Sequence, residues 1–535
     1  MSFKDVLNFN IGVLGHVDSG KTSISKALST IASTAAFDKN PESRERGITL
    51  DLGFSSFCLD PPKHIEAKGY NKLQITLVDC PGHASLIKTI IGGAQIINMM
   101  MLVIDVTKGM QTQTAECLVI GQITSDRMLI VLNKTDMLPV EKRQLMIDKM
   151  KKKLRLTLQS TKFIDAEIIS VSAKPGGPES SSEPEGLETL INTIRAQSYI
   201  PEKILGGPAL FSVDHCFSIK GQGTVMTGTV LQGTIKVGDT IEIPSLGVTK
   251  KVKSIQMFRK GVDLVTHGDR AGVCVTQFDP SLLERGLICT PGSTPISSAV
   301  IIDLNGIPYF KGEVKSGAKF HISLGHETVM AKVTIFSKKS EGIFDFSEEH
   351  RFEEVFSKED GSLSRFLLVE FERPVPVVPN SILIGSKLDS DINSNLCRLA
   401  FHGTVVWLAT SKDYLKSELK NLKIYKEKSR EGIVERASNE YEVIVKDLVR
   451  KETNVELFTG LKVQLSSGET GTIEGTFGQS GKLKVRIMSG LNPETMTKIG
   501  GKKKKGEPVI ASEPVILTLN FKRYIFDEKK RMIQS

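Results

Sequence analysis

The chain has no CxxC pair. Its seven cysteines, at positions 58, 80, 117, 216, 274, 289 and 397, are scattered and odd in number. That spacing argues against structural zinc and for a reducing compartment. Nor is there an uninterrupted apolar run of membrane length. The longest, Ile90 to Val106, is broken by Gln95, Asn98 and Asp105, so no membrane span is expected. No long apolar stretch follows the Met1-Ser2-Phe3-Lys4-Asp5 start, and no signal peptide is expected. A charge surplus is missing from most of the chain. Of the formal +9, residues 411–535 hold 25 Lys and Arg against 17 Asp and Glu, and the other 410 residues hold 45 against 44. A basic C-terminal part on a neutral body fits nucleic-acid contact, and it equally fits a solvated basic surface. A length of 535 residues implies several domains, each able to bury its own core.

What is present begins with Gly15-His16-Val17-Asp18-Ser19-Gly20-Lys21-Thr22. An apolar run, Asn10 to Leu14, reads as a buried strand before it, and Ser23 to Ile31 reads as a helix after it. Strand, glycine-rich turn and helix form the context of a phosphate-binding loop. The glycines let backbone N–H groups converge on phosphate oxygens, and the helix N-terminus adds partial positive charge. Lys21 supplies a full charge for the terminal phosphates, and the Thr22 hydroxyl is placed to ligate Mg2+.

Strand-like runs at 9–14, 73–79, 98–105, 127–132 and 166–171 alternate with helical patterns at 20–31, 83–95, 111–124, 141–157 and 186–196. This predicts an α/β domain with a parallel-rich sheet covered on both faces and its ligand at the strand C-termini. Arg46-Gly47-Ile48-Thr49 falls in a polar segment of the kind that orders around a γ-phosphate, with Thr49 as a second hydroxyl for Mg2+. In Asp79-Cys80-Pro81-Gly82-His83, Asp79 ends a strand and is placed to hold Mg2+ through water. Gly82 brings its N–H to the γ-phosphate, and His83 then lies near the attacking water. Asn133-Lys134-Thr135-Asp136 closes the next strand. The Asp136 carboxylate accepts from both the ring N–H and the exocyclic amine of guanine, a donor pair that adenine lacks. Asn133 bonds the other edge of the base, and the Lys134 stem lies over the ring. Ser172-Ala173-Lys174 fits the companion loop. The nucleotide expected is therefore GTP, with GDP as product.

The order GHVDSGKT, RGIT, DCPGH, NKTD, SAK resembles the translational GTPases. That resemblance implies that His83 orients the water and that the ribosome activates it. The loop 175–186 reads as a surface excursion, and the cluster of Pro201, Gly206, Gly207 and Pro208 marks the end of a GTP-binding domain over 1–205. Short alternating runs with glycine turns follow, such as Gly223 to Val230 and Gly238 to Ile243. They predict a β-barrel over 206–298, similar to the second domain of elongation factor Tu. A further β-barrel is expected over 299–411, binding tRNA, with an acidic, poorly patterned insertion near 338–361.

Phe211 to Phe217, Gln277-Phe278-Asp279-Pro280, Glu284-Arg285-Gly286 and Gly478 to Lys482 look like the family of selenocysteine-specific elongation factors, in its archaeal and eukaryotic form. The resemblance implies an aminoacyl pocket at Asp214, His215 and Arg270. The accompanying function is delivery of selenocysteyl-tRNA to the ribosome at UGA codons, together with a protein bound on the selenocysteine-insertion hairpin. A monomer in the cytoplasm is expected. Residues 412–535 read as a small basic β-barrel. There, Lys502, Lys503, Lys504 and Lys505 suggest RNA contact or nuclear import, and Lys522 and Arg523, between Phe521 and Tyr524, suggest RNA contact. Two alternatives stand beside this reading: a carrier of ordinary or initiator aminoacyl-tRNA, and a GTP-gated RNA-binding adaptor without functional turnover.

Overall fold

Near-continuous apolar runs build the first sheet, as expected of strands buried on both faces. The strands are Val6–Gly15 (β1), Ile31–Ala32 (β2), Gly53–Leu59 (β3), Lys72–Asp79 (β4), Met99–Asp105 (β5), Met128–Asn133 (β6) and Glu167–Ser170 (β7), in the order β2-β3-β4-β1-β5-β6-β7. The structure, a computed structural model, describes residues 5–29, 31–32, 53–81, 91, 96–177, 182–202, 204–257, 260–338, 341–356, 363–389, 397–450, 453–478, 481–500, 514–527 and 531–534. The parallel strands β4, β1, β5, β6 and β7 are those expected from the sequence. β3, with two serines at its centre, was not anticipated; it adds antiparallel to β4, and β2 adds antiparallel to β3.

The helices between these strands are Lys21–Leu28 (α1), Lys63–Glu66 (α2), Thr112–Thr124 (α3), Arg143–Leu158 (α4) and Leu187–Gln197 (α5). The helix expected over 83–95 lies outside the described residues except at Ile91. Alternate residues of the strands divide between two cores. Leu7, Phe9, Ile11 and Val13 pack with Ile24 and Leu28 of α1 and Leu190 and Ile194 of α5. Met100, Leu102 and Ile104 face the other way, onto Ile120 of α3 and Ile147, Leu154 and Leu158 of α4. Gly15, Asp79, Asp105 and Asn133 all sit at carboxyl ends of parallel strands, the edge where such sheets bind ligands.

The chain forms two compact units. One comprises Met1–Thr334, Val355–Lys358 and Phe366–Lys412, the other Ile335–Glu354, Glu359–Arg365 and Asp413–Ser535. In the first, the parallel-rich sheet is followed by Leu210–Ile219 (β8), Gly223–Gln232 (β9), Thr234–Lys236 (β10), Thr240–Ile243 (β11), Val248–Met257 (β12), Lys260–Val262 (β13), Leu264–Thr266 (β14), Arg270–Val275 (β15) and Gly286–Cys289 (β16). The order β11-β16-β8-β9-β15-β12 closes on itself through β11–β12 pairing, which makes a six-stranded barrel. A second barrel closes in the order 319–324, 382–386, 399–408, 296–303, 365–376 and 327–337.

The second unit is a barrel of the same size. Strands Ile424–Asn439, Glu442–Lys446, Lys482–Ile487, Thr470–Phe477, Lys462–Leu465 and Ile516–Tyr524 close through pairing of the first with the last. The acidic insertion has regular structure here. Its strand His350–Glu353 runs antiparallel to Ile335–Ser337 and pairs in parallel with Ile424 and Tyr425.

Candidate functional site

The phosphate-loop residues lie between β1 and α1, and three backbone positions make the turn. Gly15, Asp18 and Gly20 have φ of 148°, 60° and 90°. A side chain at Gly15 would strike the Val103 carbonyl of β5, and one at Gly20 would strike the Asn133 amide. Glycine is therefore required at both positions by close approach as well as by φ. His16 and Val17 are half-buried, Asp18 is exposed and Ser19 is buried. Lys21 is buried, and its Nζ donates to the His16 carbonyl at 2.7 Å. Burial pulls its pKa down, with Asp79 opposing. An ammonium desolvated in this way gains by meeting an anion. The Thr22 hydroxyl donates to Asp79 Oδ2 at 2.6 Å. The pair presents hard oxygen donors, the ligand type Mg2+ takes, and these residues fit that ion. Thr49, Gly82 and His83 lie outside the described residues.

The residues expected to recognise the base converge from two loops. Asn133 donates from Nδ2 to the Ser19 carbonyl at 2.9 Å and accepts the Ala173 N–H at 3.1 Å. It ties the phosphate loop to the Ser172-Ala173-Lys174 loop. Asp136 accepts the Ser172 hydroxyl on one oxygen and the Gly176 N–H, at 3.2 Å, on the other. Lys134 sits at φ 65°, and its Nζ lies 2.9 Å from Asp105 Oδ2. Burial pushes the Asp105 carboxyl up, but hydrogen bonds from Thr107 and Lys134 outweigh it and hold the group below its ordinary value. Lys174 is exposed.

The barrel residues meet because of a β-bulge. The β8–β9 register slips between Val213 and His215, so Asp214 is the extra residue. Bulges re-aim side chains in this way. Phe211 and Val213 point into the barrel core, and Cys216, rather than His215, packs against that core next. Asp214 and His215 therefore both face outward. Asp214 is fully buried and bonds Nη1 of Arg270, which is itself 6% exposed. Burial draws the Arg270 pKa down, and Asp214 opposes the shift. Arg270 Nη2 and Asp214 Oδ1 have no hydrogen-bond partner among the described residues. The guanidinium carbon lies 3.2 Å from the ring centre of Phe54, and that ring is edge-on to His215 at 6.2 Å. Beside this cluster the Ser212 hydroxyl and His326 Nε2 are 2.5 Å apart. Burial holds His326 below its usual pKa, with Asp214 opposing and Arg285 adding to the shift.

In the second unit Lys522 and Arg523 point to opposite faces of their strand. Lys522 pairs with Glu349 at 2.7 Å and covers the Tyr425 ring at 4.6 Å. Glu349 thus gives Lys522 a counter-charge within the unit. Arg523 is exposed and stands directly opposite Lys426 in the antiparallel ladder, and neither has an ion pair among the described residues. Lys502 to Lys505 lie outside the described residues.

Comparison with known proteins extends over almost the whole chain. Residues 7–202 match the elongation factor Tu GTP-binding domain and residues 223–290 match elongation factor Tu domain 2. Residues 301–403 match the third domain of eukaryotic selenocysteine-specific elongation factors, and residues 420–530 match the eEFSec C-terminal RIFT domain. The chain is 52% identical to the selenocysteine-specific elongation factor of Mus musculus, with 99% of each covered. It belongs to the family of selenocysteine-specific elongation factors. The factor of that name from Methanocaldococcus jannaschii is 34% identical, with 90% of this chain and 94% of that one covered. Among solved structures, elongation factor SelB from Methanococcus maripaludis bound to the GTP analogue GppNHp superposes with a TM-score of 0.69 at 27% identity, covering 97% of this chain and 99% of that one.

As a member of this family the chain is a translational GTPase that binds GTP and GDP. Within that frame, sequence reasoning missed three features of the site. Asp105 holds Lys134, and its signal was present: an aspartate ending a parallel strand, in register with Asn133. The Ser212–His326 contact joins residues far apart in the chain and left no local signal. Phe54 left none either, because nothing in β3 shows which barrel residue its ring meets.

Proposed function

We propose that this elongation factor carries selenocysteyl-tRNA to the ribosome at UGA codons, and that the ribosome triggers its GTP hydrolysis. Gly15 to Thr22 cradle the phosphates, Asn133, Lys134 and Asp136 with Ser172 to Lys174 hold guanine, and Gly82 contacts the γ-phosphate. Thr22, Thr49 and, through water, Asp79 hold Mg2+. When bound, that ion offsets phosphate charge. His83 positions the attacking water. Positioning and charge stabilisation are most of what a protein contributes to phosphoryl transfer, so the factor turns over slowly until its partner acts.

The observation that carries the cargo assignment is the bulge that sets Asp214 against the buried Arg270, with Arg270 Nη2 left without a protein acceptor among the described residues. A selenol is ionised at neutral pH. Two unit charges about 4 Å apart near a protein surface attract by about 4 kcal/mol before desolvation and before the opposing charge of Asp214 is counted. Cysteine, with a pKa of about 8.5, spends about 2 kcal/mol to ionise at pH 7, and serine stays neutral. Asp214 orients the guanidinium, Arg270 attracts the selenolate, and His215 forms part of the wall. Selection is by charge rather than by size.

In the second unit, Arg523 with Lys426 is the better RNA contact. Like charges directly opposite on a ladder repel, and a phosphate relieves the repulsion. The insertion-hairpin-binding protein and the Lys502 to Lys505 run belong to the same proposal, as do a monomeric state and a cytoplasmic location with a nuclear pool.

The test is GTP-dependent binding of selenocysteyl, cysteinyl and seryl forms of one tRNA. Strong preference for the first, lost in Arg270→Ala, is the expected result. Equal binding of all three would move selection to the tRNA body and favour a general carrier. Ribosome-stimulated turnover lost in His83→Ala, with GTP binding retained, separates the carrier from an adaptor without turnover.

A further inference from the structure

Phe54 stands between the nucleotide loop and the barrel cluster. The Thr22 hydroxyl bonds Asp79 at 2.6 Å, and Asp79 is paired across the β3–β4 ladder with Gly53. The next residue is Phe54, whose side chain leaves the GTPase sheet and lies against the Arg270 guanidinium. Arg270 in turn holds Asp214. One hydrogen bond, one ladder step, one peptide link, one ring–cation contact and one ion pair therefore join a phosphate-loop residue to the barrel. Beyond the half-buried Thr22 the chain of links is buried: Asp79, Phe54, Arg270 and Asp214 are all under 9% exposed.

We propose that Phe54 is the positioning residue through which the bound nucleotide sets the affinity of this cluster for an anionic aminoacyl side chain. The proposal rests on the pocket reading given above. An aromatic ring on a desolvated guanidinium attracts it through its negative face and keeps water from that side. The plane of the guanidinium is then fixed, and Nη2 keeps one direction. A charge held in a dry site acts on an anion far more strongly than one in water. A displacement of β3 against β15 lifts the ring, hydrates the guanidinium and weakens that attraction. The nucleotide changes what Thr22 and Asp79 hold, and β3 is the strand next to Asp79. Coupling of this kind is reciprocal: GTP raises cargo affinity over GDP by the same factor by which cargo raises the GTP preference.

The experiment uses the full chain and measures affinity for selenocysteyl-tRNA with GTP and with GDP, in wild type, Phe54→Leu, Phe54→Tyr and Arg270→Ala. GTP affinity without tRNA checks that the GTPase domain is intact. Couplings between sites are usually about 5- to 150-fold. Phe54→Leu keeps apolar volume without the aromatic face and is expected to lose at least about fivefold of the GTP-over-GDP ratio, while Phe54→Tyr retains it. A wild-type ratio in Phe54→Leu overturns the proposal, and so does equal loss in Leu and Tyr variants. The pocket reading fails separately: wild type would then show no preference for selenocysteyl- over seryl-tRNA, or Arg270→Ala would keep that preference.

Discussion

Arg398 and Glu116 form a buried fork. Arg398 Nε donates to Glu116 Oε1 at 3.0 Å and Nη2 donates to Oε2 at 2.8 Å, while the Arg398 backbone N–H adds a third bond to Oε1 at 3.2 Å. Each side chain is about one-twentieth exposed, and Glu116 lies on α3, over the core of the GTPase sheet. Two charges so placed are held by geometry, and removing one strands the other. Glu116→Ala or Arg398→Ala should each destabilise the first unit by about 3–5 kcal/mol. The pair Glu116→Leu with Arg398→Met should recover most of that loss, because apolar replacement removes both desolvation penalties. Denaturant unfolding of the three variants decides it. Single-variant losses near those of exposed pairs, about 1 kcal/mol or less, would show that the fork is relaxed by water.

In the proposed function, base choice depends on the polarity of one side chain. Asp136 is acceptor-only when ionised, and its oxygens already take the Ser172 hydroxyl and the Gly176 N–H. Asp136→Asn replaces an acceptor with a donor. Guanine nucleotides should then bind weaker by a factor of up to about 10⁴, while xanthine nucleotides, which carry a carbonyl where guanine has its amine, should bind better. Competition between GDP and XDP measures the exchange. An unchanged GDP preference would remove Asp136 from base recognition.

The thiols should react in an order set by burial. Cys58 is exposed, whereas Cys80 and Cys117 are buried. Burial drives the Cys80 thiol far above its ordinary range and pushes Cys117 up to about 11. The raised values keep the reactive thiolate scarce at neutral pH, and it accumulates only as pH climbs toward the folded pKa. Alkylation of the native protein at pH 8, read by mass spectrometry, should mark Cys58 first and spare Cys80 and Cys117 until the chain unfolds. Labelling of Cys80 at the rate of Cys58 would contradict the packing of the sheet.

What the sequence revealed was what is local in it. Gly15 to Thr22 and Asn133 to Asp136 each follow a buried parallel strand, so a short motif and its context fix their placement. β3 was missed because Ser55 and Ser56 sit where alternation would put an apolar residue, although all of Gly53 to Phe57 is buried. The Asp214 and Arg270 pairing entered by family resemblance. Its physical cause, a one-residue bulge, lies in the register between two strands and has no signature in either alone. Lys522 and Arg523 looked equivalent as neighbours in a basic, aromatic stretch. A strand sends neighbours to opposite faces, and Glu349, far away in the insertion, claimed only one of them.

That division yields a contrast within a single strand. Each phosphate neutralised by a protein cation adds about one to the slope of log affinity against log salt. Arg523 is exposed, and its opposite neighbour Lys426 lies over the Phe352 ring at 3.7 Å. Lys522 is neutralised by Glu349, whose carboxyl is held below its usual range by the Lys522 hydrogen bond and by that of Tyr524. If RNA lies along this face, Arg523→Ala and Lys426→Ala should each lower the salt slope of tRNA binding by about one, and the double variant by about two. Lys522→Ala should leave the slope unchanged. Its effect should fall on the barrel instead: Glu349 loses the partner that depresses its pKa, so the stability that this ion pair gives above the carboxylate range, and surrenders as pH falls through it, disappears. A reduced slope in Lys522→Ala with no change in Arg523→Ala would place the RNA on the opposite face of the strand.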